Sequence, residues 1–523
     1  MSWFRGNTSR SDKPSAILRP VAPQEAYQAA AHLLGQYYAA CVTCRYTTPT
    51  RLTAEKASSS LEDVFEQALA LTILEHSMLQ VGLINEDSKK PSFVRLDFLD
   101  FRNHVTWRTV DGASTTQDDL LSVLHEQHDK PFEKLDQQPL WRVVLLRDSA
   151  NRSINVLFVW NHTMADGMSG KIFHQTLQEK LNLLFSSELP VIPLEDHKLK
   201  LPEASKVSPT LADLVNIQLS AKFMTSELWK DVRPSFLNTE AQYKPKWAPI
   251  KRQPNKTRLQ LVSSDADGLR AILLKCKQNG TTLTVLLNVL ALASFSMRLQ
   301  PEQAPAFESG TVIDMRRFMT SLPPNHQGLE PHRTMGNYLG YHQHKFTIEL
   351  LAQVRAECDR AKSSSSNPEA ANKLEQSLWR IARELTKGIN AKMESGMKDD
   401  MMALLKFVPD WRKYFDEAIT KPRHISFELS NLGVLDGAPT TTDKQLVEQE
   451  SWTIDQAIFT QSASVHGPAY IINPMSVKGG SLIISCTWQD EIIEESVAVG
   501  VTNDLQTWLD DLGGDRPLSI EKA

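Results

Sequence analysis

No hydrophobic run in this 523-residue chain is long enough to cross a bilayer. The longest apolar stretch, roughly Leu283 to Phe295, is interrupted by Thr284, Asn288 and Ser294. It falls short of the ~20 residues a membrane helix needs and reads as a buried core helix. Cysteine is scarce as well. Five cysteines with no secretory signal ahead of them argue against a disulfide framework and for reduced thiols in a cytoplasmic protein. Cys41 and Cys44 form a lone C-x-x-C, and two ligands do not fill a structural zinc site, so no metal is expected. The net charge of −5 supplies no basic field for nucleic acid or a membrane surface, which leaves small molecules as the expected partners. A Gly-rich phosphate loop is also missing, so a phosphorylated ligand would have to meet scattered Lys and Arg side chains.

What is present suits a large globular enzyme. A chain of this length that is 41% hydrophobic can bury two or more sizeable α/β cores. Its clearest breaks are the Pro- and charge-rich stretch from Pro190 to Pro209 and the Pro/Lys-rich segment from Lys244 to Lys256. They divide it into a flexible leader (1–20), a first lobe (21–210), a crossover linker (211–256) and a second lobe (257–523). In the leader, Arg5, Arg10, Lys13 and Arg19 outweigh Asp12, and Trp3 and Phe4 offer at most weak membrane-surface contact. The run from Ser363 to Pro368 reads as an exposed loop between helices. The apolar segment from Lys398 to Lys421 reads as a helical hairpin broken at Pro409, serving as core or lining a pocket.

The most informative stretch is Asn161-His162-Thr163-Met164-Ala165-Asp166-Gly167. Before it, Ile154 to Trp160 is rich in β-branched and aromatic residues and of strand length. After it, Phe173, Leu177, Leu181 and Leu184 share one face of an amphipathic helix. His162 therefore sits in a short loop between a buried strand and a helix. A neutral imidazole, with an ordinary pKa of about 6.5, accepts a proton near neutrality and returns it later, so His162 is a candidate general base. The bland alternative is a satisfied core histidine. Asp166 can orient that ring or point away and pin the loop by pairing with an arginine, and spacing alone leaves both open. Gly167 removes a side chain where the backbone turns or a substrate must come close.

Further blocks run along the chain. They are Leu34-Gly35-Gln36-Tyr37-Tyr38 with Cys41 to Tyr46, Pro139 to Leu145, Gly280 to Leu287, Ile313-Asp314-Met315-Arg316, Met335 to Gly340, and Ser430-Asn431-Leu432-Gly433. Together with the His162 loop they resemble, in order, the CoA-dependent acyltransferase superfamily of chloramphenicol acetyltransferase, plant acyltransferases and condensation domains. The nearest likeness is to the fungal alcohol acetyltransferases. In that comparison Leu34 to Tyr46 looks like an opening helix and turn, Pro139 to Leu145 like the strand preceding the histidine strand, and Gly280 to Leu287 like a buried helix. Two departures stand out: Asn161 takes the place of the first of two adjacent histidines usual in condensation domains, and no Asp-Phe-Gly-Trp-Gly block of the plant type occurs. Peptide-bond synthesis is the less favoured activity.

The resemblance implies an α/β fold of two chloramphenicol-acetyltransferase-like lobes, each a mixed sheet with helices, with an active-site tunnel between them. It implies an O-acyltransferase of secondary metabolism that uses acetyl-CoA as co-substrate, a small-molecule hydroxyl as acceptor, and no permanently bound cofactor. His162 would be the base and Asp166 would face away and pair with Arg316. Asn337, Ser430 and Asn431 are candidates for oxyanion binding or substrate positioning, although turn chemistry explains Ser-Asn-Leu-Gly equally well. Gln461, Ser462 and Ser464 would wall the CoA side, and His466 is a rival base only if His162 is not one. A monomer is expected. Transfer of a longer acyl chain, acylation of an amine, or a catalytically silent relative are the alternatives.

Overall fold

The computed structural model describes residues 16–53, 60–110, 115–149, 152–185, 189–203, 206–232, 240–363, 368–439 and 451–520. Two mixed sheets carry the architecture. The first has the order β15 (Thr453–Gln461), β2 (Ala40–Thr47), β8 (Ser153–Trp160), β7 (Trp141–Arg147) and β6 (Val105–Thr109). Its strands pair antiparallel except β6 with β7. The second runs β10 (Thr257–Ser264), β17 (Leu482–Gln489), β16 (Tyr470–Val477), β13 (Phe427–Leu429), β11 (Phe307–Asp314) and β12 (Leu339–Phe346), with β14 (Gly433–Leu435) also on β16. Here β13 pairs parallel to both β11 and β16, and the other neighbours along this order are antiparallel. A three-stranded sheet of β1 (Ile17–Pro20), β4 (Ser92–Arg95) and β3 (Val81–Ile84) and a ribbon of β5 (Phe98–Asp100) with β9 (Lys198–Lys200) complete the set.

Strands covered on both faces read as unbroken apolar runs, and β8, β16 and β17 are buried almost throughout. The helix Gly167–Phe185 covers the first sheet, stacking Phe173 on Phe158 with ring centroids 3.9 Å apart. The helix Leu283–Arg298, buried from Val285 to Ser296, covers the second and sets Phe295 against Phe427 and Tyr470. Among the described residues no single helix is long and apolar enough to cross a membrane.

Several expectations change. The end of the leader is ordered: β1 pairs with β4, and Arg19 binds Glu25 through two hydrogen bonds of 2.7 and 2.8 Å with its guanidinium over Phe93. Trp3 and Phe4, and Ser364 to Asn367 of the expected loop, lie outside the described residues. Cys41 to Tyr46 is strand rather than turn, and Cys41 and Cys44, three apart on β2, leave opposite faces of the sheet. All five cysteines are free and buried. The 211–256 stretch includes packed structure, since Leu211 and Leu214 are buried with Ile313, Met315 and Tyr338. The segment around Pro409 bends as expected, but its first arm is a 3-10 turn, Met401–Phe407. Its second arm, the helix Trp411–Ala418, seats Trp411 and Phe415 on Tyr27 of the helix Pro23–Leu33.

Candidate active site

The chain leaves β8 at Trp160 and turns at once. Asn161 closes the turn, its N–H donating to Leu140 O and its Oδ1 accepting from Thr163 N at 2.9 Å. The Trp160 indole donates to Ala165 O at 2.8 Å, which fixes the far side of the loop. His162 is only 7% exposed. One of its ring nitrogens hydrogen-bonds the backbone of the same residue, and only Nδ1 can reach that carbonyl. Asn337 Nδ2 donates to the same oxygen at 2.9 Å and lies 3.4 Å from Nδ1, so the amide holds both the carbonyl and the ring edge in place. Assigning the ring proton to Nδ1, as that bond requires, leaves the lone pair on Nε2. Burial pulls the imidazole pKa below its usual 6.5, so the ring is neutral near pH 7.

Asp166 points the other way. Its carboxylate takes Arg316 Nη1 at 2.8 Å and Nη2 at 3.1 Å, Tyr338 N at 2.9 Å and Ser169 N at 2.8 Å. The bond from Ser169 N is the N-cap of the helix Gly167–Phe185. Ser169 Oγ lies 2.8 Å from Asp166 Oδ1 and 3.1 Å from Arg316 Nη2, and accepts from Gly336 N at 3.0 Å. Burial alone would raise the Asp166 pKa, but the Arg316 charge and these donors outweigh it and hold it below the ordinary carboxylate value. Arg316 comes from the 3-10 turn Met315–Phe318 that follows β11, so the cluster fastens the first lobe's loop to the second lobe.

Gly167 opens the helix beneath Leu432, and a Cβ there would come within 2.7 Å of Leu432 Cδ2. Leu432 belongs to the Ser430–Gly433 turn, in which Asn431 Oδ1 accepts from Gly433 N and Asn431 Nδ2 donates to Thr284 Oγ1 at 2.9 Å. Gly433 has a φ of 70°, as this turn requires. The Asn431 amide is thus engaged in turn closure. The candidates for the CoA wall are engaged internally too. Gln461 accepts from Tyr37 Oη at 3.1 Å and donates to Asn473 at 2.8 Å, bridging the two sheets. Ser462 Oγ accepts from Ala39 N and donates to His128 O, and Ser464 Oγ accepts from Gly467 N. His466 packs on Phe415, and burial pushes its pKa down to about 4. Tyr37, absent from the sequence candidates, places its ring centroid 5.9 Å from that of His162.

This is the two-lobed architecture of condensation and acyltransferase domains. The structure of the TRI3 trichothecene 15-O-acetyltransferase from Fusarium sporotrichioides superposes with a TM-score of 0.63 at 14% identity, covering 95% of this chain and 97% of that one. The first condensation domain of the CDA synthetase superposes with a TM-score of 0.58 at 10% identity, covering 98% and 99%. Among curated sequences, the probable alcohol acetyltransferase FCK4 of Fusarium pseudograminearum is 26% identical over 97% of this chain and 98% of its own length. The probable alcohol acetyltransferase crmB of Aspergillus fumigatus is 23% identical over 90% and 95%. The profile of the family described as alcohol acetyltransferase matches residues 114–499. The chain belongs to that family and is an acyltransferase.

Proposed function

We propose that the protein transfers an acetyl group from acetyl-CoA to a hydroxyl of an alcohol or secondary metabolite in one ternary complex, with His162 as general base. The observation that carries this reading is the fixed imidazole. Nδ1 is turned onto the residue's own carbonyl, which Asn337 clamps, and Nε2 is the ring nitrogen left for a substrate.

The acceptor hydroxyl gives its proton to Nε2 as its oxygen attacks the thioester carbonyl. The tetrahedral intermediate then collapses, the C–S bond breaks, and the imidazolium returns the proton to the departing sulfur of CoA. No covalent acyl-enzyme is required. Holding both reactants in one site supplies much of the acceleration, and a positioned base typically adds ~10²- to 10⁴-fold. Asp166 serves structure, since its oxygens are occupied by Arg316, Ser169 and Tyr338. Asn337, Ser430 and Asn431 remain the candidate oxyanion donors, the Asn337 and Asn431 amides each committing one N–H elsewhere.

The test is to incubate the purified protein with acetyl-CoA and a panel of alcohols, following thiol release beside product mass while both substrates are varied. Alcohol-dependent release with intersecting initial-rate lines is expected. Parallel lines would indicate a covalent intermediate, and release independent of every alcohol would contradict acyl transfer to a hydroxyl.

A further inference from the structure

Glu428 lies where a carboxyl is costly. It is the middle residue of β13, opposite Gly310 of β11 and Ile471 of β16. Residues paired across a ladder share a face, and so do residues two apart along a strand. Glu428 therefore shares the face of Asn473, whose side chain reaches Gln461 of the first sheet. Its neighbours Phe427 and Leu429 turn the other way, into the apolar core under the helix Leu283–Arg298. The carboxyl thus lies half-buried on the face turned to the first sheet.

Three tyrosines act on it. Tyr341 hydrogen-bonds it, and the Tyr341 hydroxyl lies directly over Gly310, where any Cβ would collide with it. Tyr27 and Tyr37 sense its charge, after burial, as a cause of their own raised pKa values. Among the described residues no cation offsets it. The buried guanidinium of Arg423, whose charge acts on Tyr27, is taken up by backbone carbonyls, among them those of Ala248, Ser464 and Gly467. Burial therefore pushes the Glu428 carboxyl up to about 7. Tyr37 also borders His162, so the carboxyl and the candidate base flank the same ring.

We infer that Glu428, with Tyr27, Tyr37 and Tyr341, forms the acceptor end of the passage and takes an alcohol that carries a protonated nitrogen. The ammonium pairs with the Glu428 carboxylate and lies against the tyrosine rings while the hydroxyl reaches His162. The inference rests on the acyl-transfer reading above. Its physical reason is charge: a carboxylate partly withdrawn from water without a cation is unfavourable, and a cationic ligand supplies the missing partner. Aromatic rings around the same point add cation–π attraction.

The test uses two acceptors that differ in charge alone, dimethylaminoethanol and its all-carbon isostere. Binding to the full chain is measured by calorimetry and acetyl transfer is measured independently, for the wild type and Glu428→Gln. The amino alcohol is expected to bind the wild type at least about tenfold more tightly than the isostere, a difference of ~1.4 kcal/mol. Glu428→Gln is expected to lose that preference in both measurements without a fall in thermal midpoint. No preference in the wild type, or a preference that survives in Glu428→Gln, overturns the inference. Preferential binding without acetyl transfer to any alcohol upholds the cation site and removes the acyl-transfer reading. Equal transfer to both alcohols does the reverse.

Discussion

Arg316 holds Asp166 through two hydrogen bonds, 2.8 and 3.1 Å long, with both side chains wholly withdrawn from solvent. The two residues are 150 positions apart and belong to different lobes. The pair therefore holds the loop bearing His162 in place, with the Asp166 oxygens bonded to Arg316, Ser169 and Tyr338 and not to the imidazole.

Asp166→Asn should unfold at a markedly lower denaturant concentration. Removing one partner of a buried ion pair costs ~3–5 kcal/mol, here with the bonds from Ser169 and Tyr338 also weakened. A soluble, fully stable Asp166→Asn protein without activity would contradict the anchoring role. Because the Asp166 pKa is held below its unfolded value, its contribution to stability is complete above about pH 4 and is lost as pH falls through the lower folded value.

Asn337→Ala should lower kcat about 2- to 10-fold, the equivalent of one net hydrogen bond of ~0.5–1.5 kcal/mol, with KM for acetyl-CoA little changed. The amide holds the carbonyl that holds the ring, so it acts on the position of the base and not on substrate affinity. An effect confined to KM would show instead that Asn337 binds substrate.

The pH profile should place the acid limb of kcat/KM below 6.5, because burial favours the neutral form of His162. Activity should then be level from about pH 7 upward. A limb with its midpoint above about pH 7 would assign the titrating group to another residue.

Much of the site was legible in the sequence because its parts are local. β-branched and aromatic residues marked β8, the spacing of Phe173, Leu177 and Leu181 marked the helix, and the intervening residues could only be a short loop. The partnership of Asp166 with Arg316 came from resemblance, since no spacing rule links positions so distant. The destination of β15 was not legible either: periodicity marks a strand but does not say that it crosses to the first sheet and pairs with β2. Which polar groups face a substrate was equally hidden. Gln461, Ser462 and Ser464 have the composition of a binding wall, yet each finds an internal partner once the sheets meet. Ser169 carried a usable signal, since a residue three places after an Asp cap is where the capping bond falls.

Glycine replacements in the helix should separate contact with a flexible neighbour from contact with a rigid one. At Gly170 a Cβ would come within 2.5 Å of the Trp160 indole, which its own bond to Ala165 O holds in place. Gly170→Ala should lose ~1–3 kcal/mol of stability by overpacking. At Gly167 the nearest atom is the end of the Leu432 side chain, which can rotate aside, so Gly167→Ala should lose less. Thermal denaturation of both variants checks the order, and the reverse order would contradict the packing described here.

The measurement that bears most directly on the whole account is the rate of alcohol-dependent thiol release from acetyl-CoA by His162→Ala beside the wild type, at matched folded concentration and with product identified by mass. Loss of the imidazole should reduce kcat ~10²- to 10⁴-fold while the thermal midpoint and the Asp166–Arg316 anchor are retained. Equal thiol release and equal product from both proteins would contradict the claim that residue 162 takes the acceptor's proton.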